Sequence, residues 1–360
     1  QVELSFGRQG LLVELPEKAI PQIIRKPKNQ VPKDPHTLVL QALSKPIRSK
    51  KLSEEAKGNK TACILACDIT RPVPNKLFLK PVIAELEAGG IPRDNITILI
   101  ATGLHRPNLG EELEEVIGDP WVMQNIQILN HDARDETSIV HLGKTSTHQV
   151  PLGLNRHFVE ADLRLVTGLV EPHFMAGYSG GRKVIAPGIA HHETIRTFHS
   201  ARFMESPYAA SCNLDKNPLH ESQLEIVQML GGKILAVNTI LDEERNLIHV
   251  NFGEVIASHQ EAVTSTRILE RMRVDTYVLG QPTDDVHLPL VSRDDERRGI
   301  VLVTPLGVRA GLEAVARLGL RGLSDTNLLP RNSPAFGSSF FLQKDDKSWD
   351  FIAGISKIRR

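Results

Sequence analysis

Three short apolar runs, each closed by a polar cluster and separated by helix-period segments, constrain this chain more than any other feature. Residues 61–67 run into Asp68-Ile-Thr-Arg-Pro72, residues 96–101 into Thr102-Gly-Leu-His-Arg-Pro107, and residues 162–168 into Leu169-Val-Glu-Pro-His-Phe174. Helical patterns fill 75–88 and 111–117, and a further strand pattern occupies 126–129. Beyond these, 191–204 reads as a helix, 233–241 as a strand and 255–273 as an amphipathic helix. Strands alternating with helices in this way predict an α/β fold built on a parallel sheet. In open parallel sheets the chemistry sits in loops at the carboxyl ends of strands, so the three polar clusters are the first places to look.

A length of 360 residues is the size of two domains. The expected division is a parallel-sheet-rich N-terminal domain over 1–273 and a smaller α/β C-terminal domain over 274–360. Strand patterns at 276–279 and 300–303 and a helix at 312–318 mark the second part. The chain opens with alternating Val2, Leu4 and Phe6, a β pattern, followed by a second apolar run over 11–15. Forty-three basic side chains balance forty-three acidic ones, without the basic excess of a nucleic-acid binder. The apolar runs are far shorter than the ~20 residues that cross a bilayer. No export leader pattern opens the chain, and three cysteines are an odd number that suits a reducing compartment. A soluble, cytoplasmic protein is expected.

The segment Gly177-Tyr-Ser-Gly-Gly-Arg-Lys183 is the most informative stretch. Ser179, Gly180 and Gly181 offer close backbone approach to an anion, and Arg182 and Lys183 offer positive charge to a phosphate. The alternative is a tight turn with a solvent-facing Arg-Lys pair. The spacing is not that of a triphosphate-binding loop. Beside the fixed charge of Arg182, the Lys183 amine is a candidate nucleophile for attaching a carbonyl-derived group. His105 and His173 stand just past apolar strands, where general acid–base groups belong, and His199 follows Lys183 by 16 residues. His36, His148, His157 and His259 read as solvated or capping residues. Asp68 and Arg71 share one loop, where a guanidinium can clamp a carboxylate and a carboxylate can orient a histidine. A strand-terminal turn with a helix cap is the alternative. The His191-His192-Glu193 cluster invites a zinc-hydrolase reading but lacks the His-Glu-x-x-His spacing that puts two ligands on one helix face. Cys63 and Cys67, four apart on a strand, read as buried apolar fillers on one face.

These motifs resemble those of the lactate racemase family of nickel-pincer-nucleotide 2-hydroxyacid racemases. The resemblance spans roughly residues 1–275 and rests on Asp68-Ile-Thr-Arg-Pro72, Thr102-Gly-Leu-His-Arg-Pro107 and Glu171-Pro-His-Phe-Met-Ala-Gly-Tyr-Ser-Gly-Gly-Arg-Lys183, with His199 downstream. It implies nickel and a pyridinium mononucleotide bearing thioamide and thiocarboxylate sulfur, attached at Lys183 and matured by cofactor-biosynthesis proteins. It further implies His199 as the metal ligand, the glycine-rich loop as the phosphate cradle, His105 and His173 as the acid–base pair, and Asp68 and Arg71 as their support and substrate clamp. The implied activity is racemisation of a small, lactate-like 2-hydroxyacid by hydride transfer to and from the cofactor, with two bases, one for each enantiomer's hydroxyl. The C-terminal part departs from the family pattern. Where family members carry Tyr, Gln and Lys, the segment from Gly280 to Ser292 reads Leu288, Pro289 and Ser292. A cofactor-binding relative without turnover is therefore the alternative reading.

Overall fold

Side-chain alternation along the first apolar run sets the layers of the main unit. In a computed structural model, Ala62, Ile64 and Ala66 pack on one side of the sheet against Phe78, Leu79, Val82 and Ile83 of the helix Asn75–Ala88. Cys63 and Leu65 point to the other side, into a second core with Val166, Ala236, Ile185, Ile189 and Phe198. Period-2 alternation buries both faces, as a sheet covered by helices on each side requires. Each Val, Leu, Ile or Phe side chain so taken from water contributes about 1.5–3 kcal/mol. The structure describes residues 1–4, 10–14, 20–24, 31–269, 299–303, 340–343 and 349–352.

The chain divides into two compact units, Asn29–Ile268 and a second formed by Gln1–Lys28 with Leu269–Arg360. The first contains a six-stranded sheet ordered Leu247–Glu254, Ile234–Leu241, Leu163–Leu169, Ala62–Cys67, Ile96–Ala101, Gln127–Asn130. Every neighbouring pair is parallel except the edge strand Leu247–Glu254, which folds back antiparallel on Ile234–Leu241. The first strand is central: the chain moves outward to the second and third, then returns to lay the fourth on its other side. That is the doubly wound order, with its topological switch point between Ala62–Cys67 and Leu163–Leu169. A separate antiparallel pair, Ile139–Lys144 with Pro151–Asn155, lies between the third and fourth strands in sequence.

In the other unit the described strands pair two by two. Val2–Leu4 runs antiparallel to Leu11–Val13, Ile20–Ile24 parallel to Gly299–Val303, and Phe340–Gln343 antiparallel to Trp349–Ile352. The strand expected at 300–303 is thus present, whereas the strand expected at 276–279, the helix expected at 312–318, and the positions Leu288, Pro289 and Ser292 lie outside the described residues. Among the described residues no helix is long and apolar enough to cross a membrane.

The helix expected over 191–204 is two helices, His192–Phe198 and Ala201–Met204. It breaks at His199, which caps the first helix with φ −97° and ψ 16° and whose Nδ1 donates to the carbonyl of Ile195 at 2.7 Å. The ring thereby takes up one of the carbonyls that a helix end leaves unsatisfied.

Candidate active site

The polar clusters at the switch point come together through two contacts. Asp68, first past the central strand, is buried, and its Oδ2 lies 2.7 Å from Nδ1 of His105 in the loop after the neighbouring strand. Its other oxygen accepts from Thr70 Oγ1 at 2.6 Å. Arg71, in the same loop, donates through Nη1 to Glu171 at 2.8 Å, and Glu171 stands at the end of the fourth strand. One loop from the central strand therefore reaches both neighbours.

Hydrogen bonds fix the loop that carries His105. Gly103 N donates to Gly188 O at 2.9 Å, His105 N to Thr102 O at 2.9 Å, and Thr102 Oγ1 to His131 O at 2.5 Å. Asn108 accepts from Ile69 N at 3.1 Å, tying this loop to that of Asp68. His105 is exposed, yet its hydrogen bond to Asp68 raises its pKa above the ordinary histidine value, against burial and the charges of Arg71 and Lys183. Lys183 is half-buried, and its charge acts on both His105 and the thiol of Cys67. Burial, with the Asp68 carboxylate adding to it, pushes that thiol up to about 12, so Cys67 is a filler and not a nucleophile. Burial likewise raises Cys63.

His173 sits on the two-residue strand Pro172–His173, paired with Gly177–Tyr178, and stacks on Phe174 with ring centroids 4.9 Å apart. Its Nδ1 accepts the backbone N–H groups of Met175 at 3.2 Å and Ala176 at 3.1 Å. His199 is exposed on the helix His192–Phe198, whose Ile195 packs next to Gly103 of the His105 loop. Direct contacts thus join Asp68 to His105 and Arg71 to Glu171, while Lys183 joins them through its charge.

The glycine-rich loop differs from expectation in what its side chains do. Arg182, expected to face a phosphate or solvent, is 1% exposed. Its guanidinium donates to His220 Nδ1 at 2.9 Å and to the carbonyls of Tyr178 and Ala176, and lies 2.8 Å from His259 Nε2. Without a carboxylate among these partners, burial lowers its pKa to about 9. Ser179 Oγ donates to Leu169 O at 2.7 Å. Gly180 and Gly181 have φ of +77° and +47°, and a Cβ would stand 2.7 Å from Val170 and 2.9 Å from His259 respectively. Ser179, Gly180, Gly181 and Arg182 therefore shape and anchor the loop that presents Lys183. His259, read from sequence as solvated or capping, is 1% exposed and part of that anchor.

Glu171 is the site residue that the sequence reading passed over. It lies inside the longest motif, and its signal is an acidic side chain just past a strand end, in a chain whose neighbouring strand is followed by Arg71. The zinc reading also changes partner: His191 and His192 stand next to Glu136 rather than forming a site with Glu193. An open groove lined by Leu40, Leu43, Lys76, Lys80 and Asp119 lies among the helices Pro35–Ser44 and Asn75–Ala88, and none of the site residues above lines it.

The fold and site define a doubly wound α/β protein whose polar clusters gather at the carboxyl ends of the central strands. Residues 6–212 match the family described as lactate racemase N-terminal domain, and the chain belongs to that family. It is 33% identical over 260 residues to a lactate racemase of Thermoanaerobacterium thermosaccharolyticum, a match covering 72% of this chain and 60% of that protein. It is 36% identical over 226 residues to a lactate racemase of Lactiplantibacillus plantarum, covering 62% and 51%. The solved structure of the lactate racemase apoprotein from T. thermosaccharolyticum superposes with a TM-score of 0.63 at 31% identity, over 73% of this chain and 61% of that one. A Thermotoga maritima protein of known structure, 22% identical with a TM-score of 0.54, shares the fold. The chain spans between half and two thirds of the length of the curated relatives it matches.

Proposed function

We propose that this chain carries the catalytic half of a racemase for a small, lactate-like 2-hydroxyacid. The observation that carries this reading is the pairing of Asp68 with His105 on one side of the central strand and of Arg71 with Glu171 across the switch point on the other. Arg71 has five N–H donors and gives one to Glu171 through Nη1, so its remaining donors suit a substrate carboxylate. Asp68 accepts a hydrogen bond from Nδ1–H of His105 and leaves Nε2 as the atom that accepts the hydroxyl proton. The ring states follow from the donors around each nitrogen. Nδ1 of His173 accepts two backbone N–H groups, so its proton sits on Nε2, where it donates a hydrogen bond to the substrate oxygen. The rings are thus set in opposite states, which suits one base and one acid for a given enantiomer. Exchanging their roles for the opposite enantiomer requires the residues after His173 to release Nδ1.

The residues fit the nickel-bearing, lysine-tethered pyridinium nucleotide that the family resemblance implies. Lys183 is half-buried beside His105, and its amine would carry the tether. Nδ1 of His199 donates to Ile195, which leaves the Nε2 lone pair for nickel, the arrangement that metal-bound histidines favour. When bound, the group supplies the acceptor for the substrate's α-hydrogen as hydride, which spares the dianion that proton removal beside a carboxylate would create. The cytoplasm, with proteins that make the cofactor, is the compartment we assign; none of Cys63, Cys67 and Cys212 is in a disulfide.

The test is a chiral assay of the full chain, co-expressed with cofactor-making proteins, on a panel of 2-hydroxyacids. Intact mass must first show an adduct that Lys183→Ala abolishes. Interconversion of at least one enantiomeric pair is expected, with a loss of about 10²–10⁴-fold in His105→Ala. Adduct-bearing protein that is silent across the panel overturns the reading in favour of a binding relative.

A further inference from the structure

A second cluster of imidazoles stands apart from the chemistry just described. His191 is the residue before the helix His192–Phe198, and it is 4% exposed. Its Nε2 lies 2.9 Å from Oε1 of Glu136, in the turn Glu136–Ser138, and Oε2 of the same carboxylate lies 3.1 Å from Nε2 of His141. Ring centroids of His191 and His192 are 4.1 Å apart, and those of His141 and His191 are 5.3 Å apart. One potential ligand atom from each of Glu136, His191 and His192 lies within 4.8 Å of the other two.

Two further observations point to a ligand. Nδ1 of His192 is buried and has no hydrogen-bond partner, a state that native interiors avoid. Gly153, opposite His141 across the strand pair, leaves room for the imidazoles: a Cβ there would stand 2.8 Å from His191 Cβ and 3.3 Å from His141 Nδ1. Its φ is not in the left-handed region, so the demand for glycine is one of space.

We propose that Glu136, His191 and His192 bind a divalent transition metal of the zinc class, with His141 at the edge of the site. Two imidazoles and a carboxylate select zinc, nickel, cobalt or copper over magnesium and calcium, which favour all-oxygen shells. Tetrahedral zinc at ~2.0–2.2 Å from each donor brings ligand atoms to about 3.3 Å from one another. The exposed Glu136 side chain is free to close that distance, while the buried His191 fixes the base of the site. On binding, the metal replaces the proton shared between His191 and Glu136, which passes to solvent. The fourth position falls to water or to His141. The metal clips the start of the helix His192–Phe198 to the turn Glu136–Ser138. His199 lies seven residues along that helix, about 10 Å away at 1.5 Å per residue, so the two metal positions are separate.

The probe is zinc alone, titrated into chelator-stripped full chain against a chromogenic chelator, with cobalt as a spectroscopic substitute. One equivalent bound at micromolar concentration or below, with the strong visible bands of four-coordinate cobalt, is expected. Glu136→Gln, on an exposed turn, should weaken zinc by about tenfold or more, and His192→Ala should abolish its binding, while His199→Ala leaves it intact. Zinc should also raise the melting temperature of the wild type and not that of Glu136→Gln, a readout that stands even if His192→Ala fails to fold. Zinc uptake unchanged in Glu136→Gln and His192→Ala, uptake lost in His199→Ala, or no equivalent bound at micromolar zinc would each overturn the proposal.

Discussion

Nδ1 of His105 lies 2.7 Å from Oδ2 of Asp68, joining residues from the ends of adjacent parallel strands. The carboxylate is buried and the imidazole exposed, so one end of the ring is held while the other meets solvent and substrate. The hydrogen bond favours the imidazolium and raises the His105 pKa above 6.5.

Asp68→Asn should therefore lower the titration midpoint of His105, followed by NMR of the ring protons. The pair stabilises the fold fully below the unfolded pKa near 6.5, and this contribution is lost as pH rises through the folded pKa. An acid limb of activity set by His105 should move to lower pH in the variant. An unchanged midpoint would show that Asp68 does not govern the ring.

Arg71 and Glu171 make the complementary link on the other side of the central strand. Glu171 is nearly buried, and its oxygens help aim the guanidinium. Glu171→Gln should raise KM for the hydroxyacid by about tenfold with a smaller effect on kcat, because a charge-assisted bond of ~1.5–3 kcal/mol is weakened. A fall in kcat at constant KM would place Glu171 elsewhere in the cycle.

The α/β class, the central strand and the loops that carry Asp68, His105 and His173 were legible because apolar runs and polar strand ends are local signals. The antiparallel edge strand Leu247–Glu254 was not, since its buried face comes from pairing with Ile234–Leu241 rather than from its own pattern. Arg182 was misleading for a related reason. In the sequence it reads as a surface charge beside Lys183, and only the fold brings His220 and His259, 38 and 77 positions away, around its guanidinium. Glu136 met His191 in the same way, across 55 positions.

That buried cluster makes the fold sensitive to mild acid. Burial, reinforced by the Arg182 charge, lowers His220 to about 3 and holds His259 well below the ordinary value. Burial also lowers His131. These rings stay neutral when folded but take up protons near pH 6.5 when unfolded, so stability rises with pH between those limits and falls as pH drops below 6.5. Each contributes up to about 1.4 kcal/mol per pH unit. Melting temperatures measured from pH 7 to 5 should fall, and His220→Gln should flatten the slope. An identical slope in the variant would show that His220 titrates normally in the folded state.

The two histidines of the site should differ in tautomer. Asp68 holds the proton of neutral His105 on Nδ1, whereas the N–H groups of Met175 and Ala176 exclude a proton from Nδ1 of His173 and leave it on Nε2. Nitrogen-15 NMR of the full chain well above pH 6.5 should therefore show the two rings with opposite protonated nitrogens. Asp68→Asn should release the His105 preference and leave that of His173 unchanged, because the backbone, not a carboxylate, sets the second ring. The asymmetry has a kinetic counterpart. An enantiomeric pair has an equilibrium constant of one, so kcat/KM in the two directions must remain equal in every variant, and His173→Ala must slow both directions together. Only the balance between kcat and KM can differ, and in the wild type the direction that requires Nδ1 of His173 to be released should have the lower kcat. Identical tautomers in both rings would remove the structural basis for that difference.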